Sequence, residues 1–426
     1  MGAAPKWRLE RALASFSERL QGVGSRLILR SGDALTVLQD LIQSTGAQAV
    51  HWSRQYTPQG IARDKKIKAT LKAQGVQAAS FTGFVLFEPW TVQTGTGGPY
   101  KVFTPFWKKV RERSLKAPLP APEALPTPVS WPESEALPTW RLAADMNRGA
   151  QIIAKHASIG EARALERLHA FLSERCAAYP TDRDRPDRNG TSGLAEHLSY
   201  GEISARTIWH AGREVMGQGN PGAETFVKEL VWRDFAWHLA FNTPELLHDT
   251  WRPAWRDFPW RPDNADAEKW RRGETGEPMV DAAMRELYVT GRMHNRARML
   301  VASYLTKHLM THWQVGADWF AQCLVDWDPA SNAMGWQWAA GCGPDASPYF
   351  RVFNPAGQAK KFDPKGEYQA RFLPMKDGLE QDAEDFYRAA PRSWGLDPAA
   401  PYPSEPIIAL KAGRLRALEA YKAFKG

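Results

Sequence analysis

The stretch from Lys116 to Trp140, KAPLPAPEALPTPVSWPESEALPTW, can be neither helix interior nor central strand. Each proline removes a backbone donor and fixes φ at about −65°. The segment must run extended over a surface, and it divides the chain into two unequal parts. Upstream, helical patterns alternate with the short apolar runs RLILRSG, AQAVHWS and VQAASFTG, each ending at turn-forming residues. That alternation reads as α/β with a parallel sheet. Downstream, GEARALERLHAFLSERC, AETFVKELVWRDFAWHLAF, PMVDAAMRELYVTG and NRARMLVASYLTKHLMTHWQ carry apolar residues at three- and four-residue spacing, so that part is nearly all helix. The expected division is an α/β domain over 1–110, a proline-rich linker over 111–150 and a helical domain over 151–426, enough chain for a substantial core.

Several function classes lack their signatures. No nucleophile elbow, Walker loop or GxGxxG is present. His308 and His312 have the i,i+4 spacing of metal ligands but no HExxH glutamate or third ligand, and no metal is expected. Cys176, Cys323 and Cys342 are too few and too scattered for a disulfide framework or a CxxC site, which fits a reducing cytoplasm. The opening MGAAPKWRLERALASF is an amphipathic helix pattern without the apolar core of a signal peptide, and no apolar run is long enough to span a bilayer. A net charge of +8 points to an anionic partner such as nucleic acid, although the surplus is spread along the chain.

Nineteen tryptophans invite a stacking, cofactor or electron-transfer explanation beside ordinary packing. In NAMGWQWAAG, Trp336 and Trp338 diverge by about 200° on a helix and cannot cover the same surface. The loop NGTSGLAEHLSYGEIS, Asn189 to Ser204, suits either a phosphate at a helix N-terminus or a plain N-cap. Asp326 and Asp328 of DWD, with Arg296 and Arg298, suit ligand contacts or, more commonly, a structural charge network.

Taken in order, TSGLAEHLSYGEIS, KELVWRDF, TGRMHNRARM and DWDPASNAMGWQWAAGCGPDASPYFRVFNP, with LFEPWTVQTGTGGPYKVFTPFW and NPAGQAKKFDPKGEY, resemble segments of the photolyase/cryptochrome family. The likeness covers nearly the whole chain and is greatest to the bacterial cyclobutane pyrimidine dimer photolyases. It implies an α/β antenna-type domain with a Rossmann-like parallel sheet, whose usual first strand is missing from this sequence, and a larger all-α domain holding FAD in a folded conformation.

By the same resemblance, Tyr179, Thr191, Ser192, Gly193, Leu194, Asn295, Arg298, Asp326, Asp328 and Asn332 contact FAD, with Asn332 beside flavin N5. Trp336, Trp313 and Trp260 form the electron-transfer chain that photoreduces it. Trp232 and Trp338 face a flipped-out pyrimidine dimer, Glu229 and Asn295 meet its polar edge, and Met299 packs on it. Arg183, Arg296 and Arg351 hold the flanking phosphates. The implied activity is light-dependent repair of cyclobutane pyrimidine dimers by an electron from excited, reduced FAD. The expected partner is damaged DNA, and the expected state is a monomer free of membrane. A second antenna chromophore, folate or deazaflavin, stays open, because Gln59 and Gly60 stand where some relatives carry an Asn-Glu pair that holds folate. Arg292 stands where relatives carry a tryptophan. The alternatives are a cryptochrome-type photoreceptor without repair and a (6-4) photolyase, which would show histidines in place of Asn295 and Met299.

Overall fold

The computed structural model describes residues 1–374 and 380–425. The opening pattern is a helix, Ala3–Gln21, that buries Trp7 and Arg8 and packs on the helix Trp313–Cys323 of the second part. Strands β1 (Ala49–Ser53) and β2 (Gln77–Phe81) pair in parallel, with Ala49 opposite Gln77 and Ser53 opposite Phe81. The helix Pro58–Ala73 connects them, started by proline at its first position and by Thr57, whose side chain accepts from the Gly60 amide. The unit is therefore β–α–β, as the alternating pattern requires.

RLILRSG departs from that expectation, for it forms no strand. It lies along the proline-rich segment, where Leu29 N donates to Ser134 Oγ (2.9 Å) and Glu135 N donates to Leu29 O (2.9 Å). A partner this poor in backbone donors cannot build a ladder. The proline-rich segment itself runs extended and exposed, closing in a single turn of 3₁₀ helix at Leu137–Trp140.

The rest is helical, and no described helix is long and apolar enough to cross a membrane. Its central element, Ala223–Asn242, is covered on nearly all sides, packing on the helices Ala205–Gly217 and Pro329–Ala340. Asp234 on it ties down the N-terminal part, accepting from the amides of Leu86 (2.9 Å) and Phe87 (2.8 Å). Burial pushes that carboxyl up to about 7 against those amides. The pattern read as one helix over 295–314 is broken in two. Asn295–Ser303 continues through one wide turn, Tyr304–His308, before Met310 takes a positive φ of 55° and the His312 side chain caps a new helix from Trp313. Eight of the nineteen tryptophans are buried, so part of the excess is ordinary core.

Candidate functional site

The helix Pro329–Ala340 organises the site. Proline occupies its first position, and Asp328 caps it through Oδ1, accepting from Ser331 N (2.8 Å), while Oδ2 accepts from the buried Trp237 indole (2.8 Å). One turn on, Asn332 Nδ2 donates to Ala317 O (3.0 Å) of the helix Trp313–Cys323. After another turn, the buried Trp336 ring lies on Gly316 and edge-on to Phe320, 4.9 Å between centroids. A Cβ on Gly316 would come within 2.6 Å of Trp336 Cζ2 and closer still to Cζ3 and Cη2. Glycine is therefore what lets the two helices close over the indole. Trp338 points elsewhere and is only partly buried.

Trp313 begins the facing helix and is buried, whereas Trp260 is half-buried and donates its indole to Thr306 O (3.2 Å). The His312 ring stands between them, 5.2 Å from Trp260 and 5.6 Å from Trp313. All three tryptophans belong to one core cluster, and the Trp313 and Trp336 indole N–H groups are buried without an acceptor.

The acidic pair and the glycine loop meet at one end of this assembly. Arg298 donates to Asp326 Oδ2 (2.7 Å) and to Met293 O (2.8 Å), leaving Asp326 Oδ1 buried and unpartnered. Ser199 Oγ donates to Asp326 O (3.1 Å), which fixes the loop beside it. Within the loop, Gly193 takes φ +64° over Arg167, whose Nη1 donates to Gly193 O (2.9 Å). Arg175 holds the other side, donating to Asn189 Oδ1 (3.0 Å) and Thr191 O (3.3 Å). The helix that follows, Ala195–Ser199, is too short for a large dipole, so the loop's capacity for an anion rests on its amides and these guanidinium groups. Leu194 and Tyr179 are buried, and burial raises the Tyr179 hydroxyl above its ordinary range. An unfilled carboxylate oxygen, a left-handed glycine and a cation-flanked loop fit a flavin dinucleotide.

On the helix Ala223–Asn242, Glu229 and Trp232 lie one turn apart. Burial pushes the Glu229 carboxyl up, and the Arg183 guanidinium at 2.5 Å opposes that shift. Arg183 also lies over the Tyr179 ring, 5.5 Å from its centroid. Trp232 stacks flat on Phe103, with centroids 3.6 Å apart. Asn295 is exposed at the start of its helix and approaches Met299 Sδ at 3.8 Å. Arg296 pairs with Asp184 (2.6 Å) and covers the Phe362 ring, whereas Arg351 is exposed and its carbonyl accepts from the buried Lys307 ammonium (2.7 Å). Two of the three expected phosphate-holding arginines thus carry carboxylate partners.

Sequence reasoning missed Arg8, Arg167, Glu196 and Glu202. Arg8 is fully buried, with Nη2 2.6 Å from Glu202 Oε2, and Glu196 is ringed by Arg8, Arg167 and Arg292. Glu196 and Glu202 lie inside the quoted glycine loop, but nothing local to Arg8 signals its burial. The cluster His156, Asp382 and Asp385 has metal-ligand spacing, yet Lys155 (2.7 Å from Asp385) and Arg371 already neutralise it.

Comparison with known proteins identifies the family. A family model described as the FAD binding domain of DNA photolyase matches residues 226–423, and one described as DNA photolyase matches residues 1–124. The deoxyribodipyrimidine photo-lyase of Agrobacterium fabrum is 43% identical over 100% of this chain and 90% of its own length. The crystal structure of a bacterial class III photolyase from Agrobacterium tumefaciens superposes with a TM-score of 0.91 at 43% identity, covering 100% of this chain and 89% of that one. Cryptochrome-1 of Arabidopsis thaliana stands further off, 33% identical over 98% of this chain and 63% of its own length. The chain belongs to the DNA photolyase family.

Proposed function

We propose that this protein repairs cyclobutane pyrimidine dimers in DNA, using light and FAD. The observation that carries the reading is the helix Pro329–Ala340, where Asn332 and Trp336 stand one turn apart on an element that follows directly after Asp326 with its unfilled carboxylate oxygen. Residues 1–110 serve as the α/β antenna-type domain, 111–150 as the linker and 151–426 as the catalytic domain. Its three thiols are free, in keeping with a reducing cytoplasm, where it would act as a monomer.

When bound, reduced FAD would supply the light-driven electron-transfer chemistry for opening the dimer. Tyr179, the loop Thr191 to Leu194, Asn295, Arg298, Asp326, Asp328 and Asn332 would hold it. Asp328 is already locked as a helix cap, so its part is to fix the helix carrying Asn332. Asn332 is fixed in turn, its amide committed to Ala317 O. Trp336, Trp313 and Trp260 form the path for photoreduction, with His312 packed between the last two.

A dimer inside a duplex must be extruded, and its poor stacking and pairing lower the cost of doing so. Trp232, held flat by Phe103, and Trp338 give aromatic surface for the dimer. Glu229, Asn295 and Met299 meet its edges, and Arg183, paired with Glu229, would hold a flanking phosphate. Arg296 and the exposed Arg351 complete the backbone contacts without reading sequence.

The test is an absorption spectrum of the purified protein, followed by blue light, a reductant and DNA carrying defined lesions. Bound FAD, its full reduction and loss of cyclobutane dimers with (6-4) products untouched are expected. Protein that takes up no FAD on reconstitution defeats the reading, and repair of neither lesion by fully reduced protein replaces it with a photosensor.

A further inference from the structure

The glycine loop rests on a buried charge cluster that does not balance. Arg8 contributes a fully buried guanidinium that meets Glu202 at 2.6 Å and Glu196 at 3.8 Å. Arg167 bridges Glu196 (3.2 Å) and Gly193 O (2.9 Å). Arg292, in the turn between the helices Pro278–Thr290 and Asn295–Ser303, pairs with the same Glu196. Three guanidinium groups therefore face two carboxylates, whose side chains are 1% and 7% exposed, and one positive charge is left over. His197 sits between the carboxylates, its Nδ1 2.6 Å from Glu202, and contributes no negative charge in either protonation state.

The groups further out do not remove the surplus. Arg371 is matched by Asp382 and Lys155 by Asp385, while Arg175 on the loop adds more positive charge. The Nε groups of Arg8 and Arg292 are buried without partners. Burial and then the charge of Arg292 hold Arg167 below its ordinary range, which is crowding of like charges. Arg8 is fully buried whereas the Arg167 and Arg292 side chains are 26% and 29% exposed, so the surplus lies on the half-buried members and calls for an anion from outside.

We infer that Arg8, Arg167 and Arg292 form a cationic bed for the diphosphate of FAD, and that Arg292 supplies the charge by which the bed exceeds its own carboxylates. This rests on the proposed flavin site. The bed reaches the ligand through the Gly193 carbonyl on Arg167, which makes Arg292 a positioning residue acting through Glu196. Without Arg292 the cluster would hold two guanidinium groups and two carboxylates and would be neutral.

The charge count gives the test. Deflavinated protein is titrated with FAD, which carries the diphosphate, and with riboflavin, which lacks it. Arg292→Met should weaken FAD by at least about tenfold, because the lost charge acts on both negative charges of the diphosphate, and leave riboflavin unchanged. Arg292→Met with Glu196→Gln restores the surplus and should recover most of the FAD affinity, as should Arg292→Lys. Equal weakening of both ligands, or no recovery in the double variant, would show that Arg292 only supports the fold and would overturn the inference. If the wild type binds riboflavin and FAD equally, the bed serves no diphosphate. If it binds neither, the flavin site itself is misread.

Discussion

Gly316 and Gly335 make a paired test of how the Trp336 indole is held. Both lie inside helices, so replacing either with alanine gains the same propensity, about 1 kcal/mol. Their surroundings are opposite. A Cβ at 335 meets nothing within 4 Å, whereas one at 316 falls on the Trp336 ring, 2.6 Å from Cζ2 where ordinary contact begins at 3.4 Å. To clear its nearest atom, Cη2, the ring must retreat by more than an ångström, and Phe320 and Trp270 stand edge-on to it at 4.9 and 6.0 Å. Overpacking of this kind costs about 1–3 kcal/mol. With propensity cancelled, Gly316→Ala should be less stable than Gly335→Ala by that amount in urea unfolding followed by circular dichroism. Because the displaced ring is the first tryptophan of the proposed chain, Gly316→Ala should also slow flavin photoreduction, and Gly335→Ala should not. Equal stability of the two variants would mean that Trp336 does not rest on Gly316.

Trp336→Phe should abolish or greatly slow photoreduction while leaving dimer repair by chemically reduced protein largely intact; photoreduction at the wild-type rate would remove Trp336 from the path. Glu277→Gln tests a buried acid away from the site. Burial and the neighbouring Asp281 push the Glu277 carboxyl up to about 7, so the folded chain holds that proton more tightly than the unfolded chain. Its contribution is fully present below the ordinary carboxylate range of about 4.3 and is lost as pH rises through about 7. Unfolding midpoints at pH 5 and pH 8 should therefore differ less in Glu277→Gln than in wild type. A residual difference of the same sign is expected from Asp234 and Glu286, each also raised to about 7 by burial.

What the sequence disclosed depended on the range of the interaction involved. The proline-rich segment, the β–α–β unit and the helices Ala223–Asn242 and Pro278–Thr290 follow from local periodicity and breakers, and they stand as read. RLILRSG has the composition of a strand but lacks a neighbour able to pair with it, and strand formation is a property of two segments. The helix expected over 295–314 breaks at Met310, where Arg261 N bonds its carbonyl (2.6 Å), a partner some fifty residues away. At the site, the types and spacing of Asp328, Asn332 and Trp336 were legible because one helix carries all three. The partners of Arg183 and Arg296 were not, since Glu229 and Asp184 come to them only through folding. Arg8 is the extreme case: a guanidinium in the first helix that is buried by carboxylates nearly two hundred residues away.

The residue between the two tryptophans explains how they can be trusted to diverge. The helix Pro329–Ala340 has no continuous polar face, so its rotation is set by single contacts, Asn332 to Ala317 O and Trp336 on Gly316 among them. Gln337 adds a third. It is fully buried, its Oε1 accepts from Trp251 N (2.6 Å), and its Nε2 donates to Leu246 O and Asp249 O (2.9 Å each). Rotating the helix would strand these buried groups at about 1–3 kcal/mol apiece, more than apolar repacking could return. With Gln337 pinned, Trp336 is committed to Gly316 and the core and Trp338 to a different side. This buried amide thus helps to fix the directions of both indoles, and with them the separation of the proposed reducing path from the proposed dimer cavity.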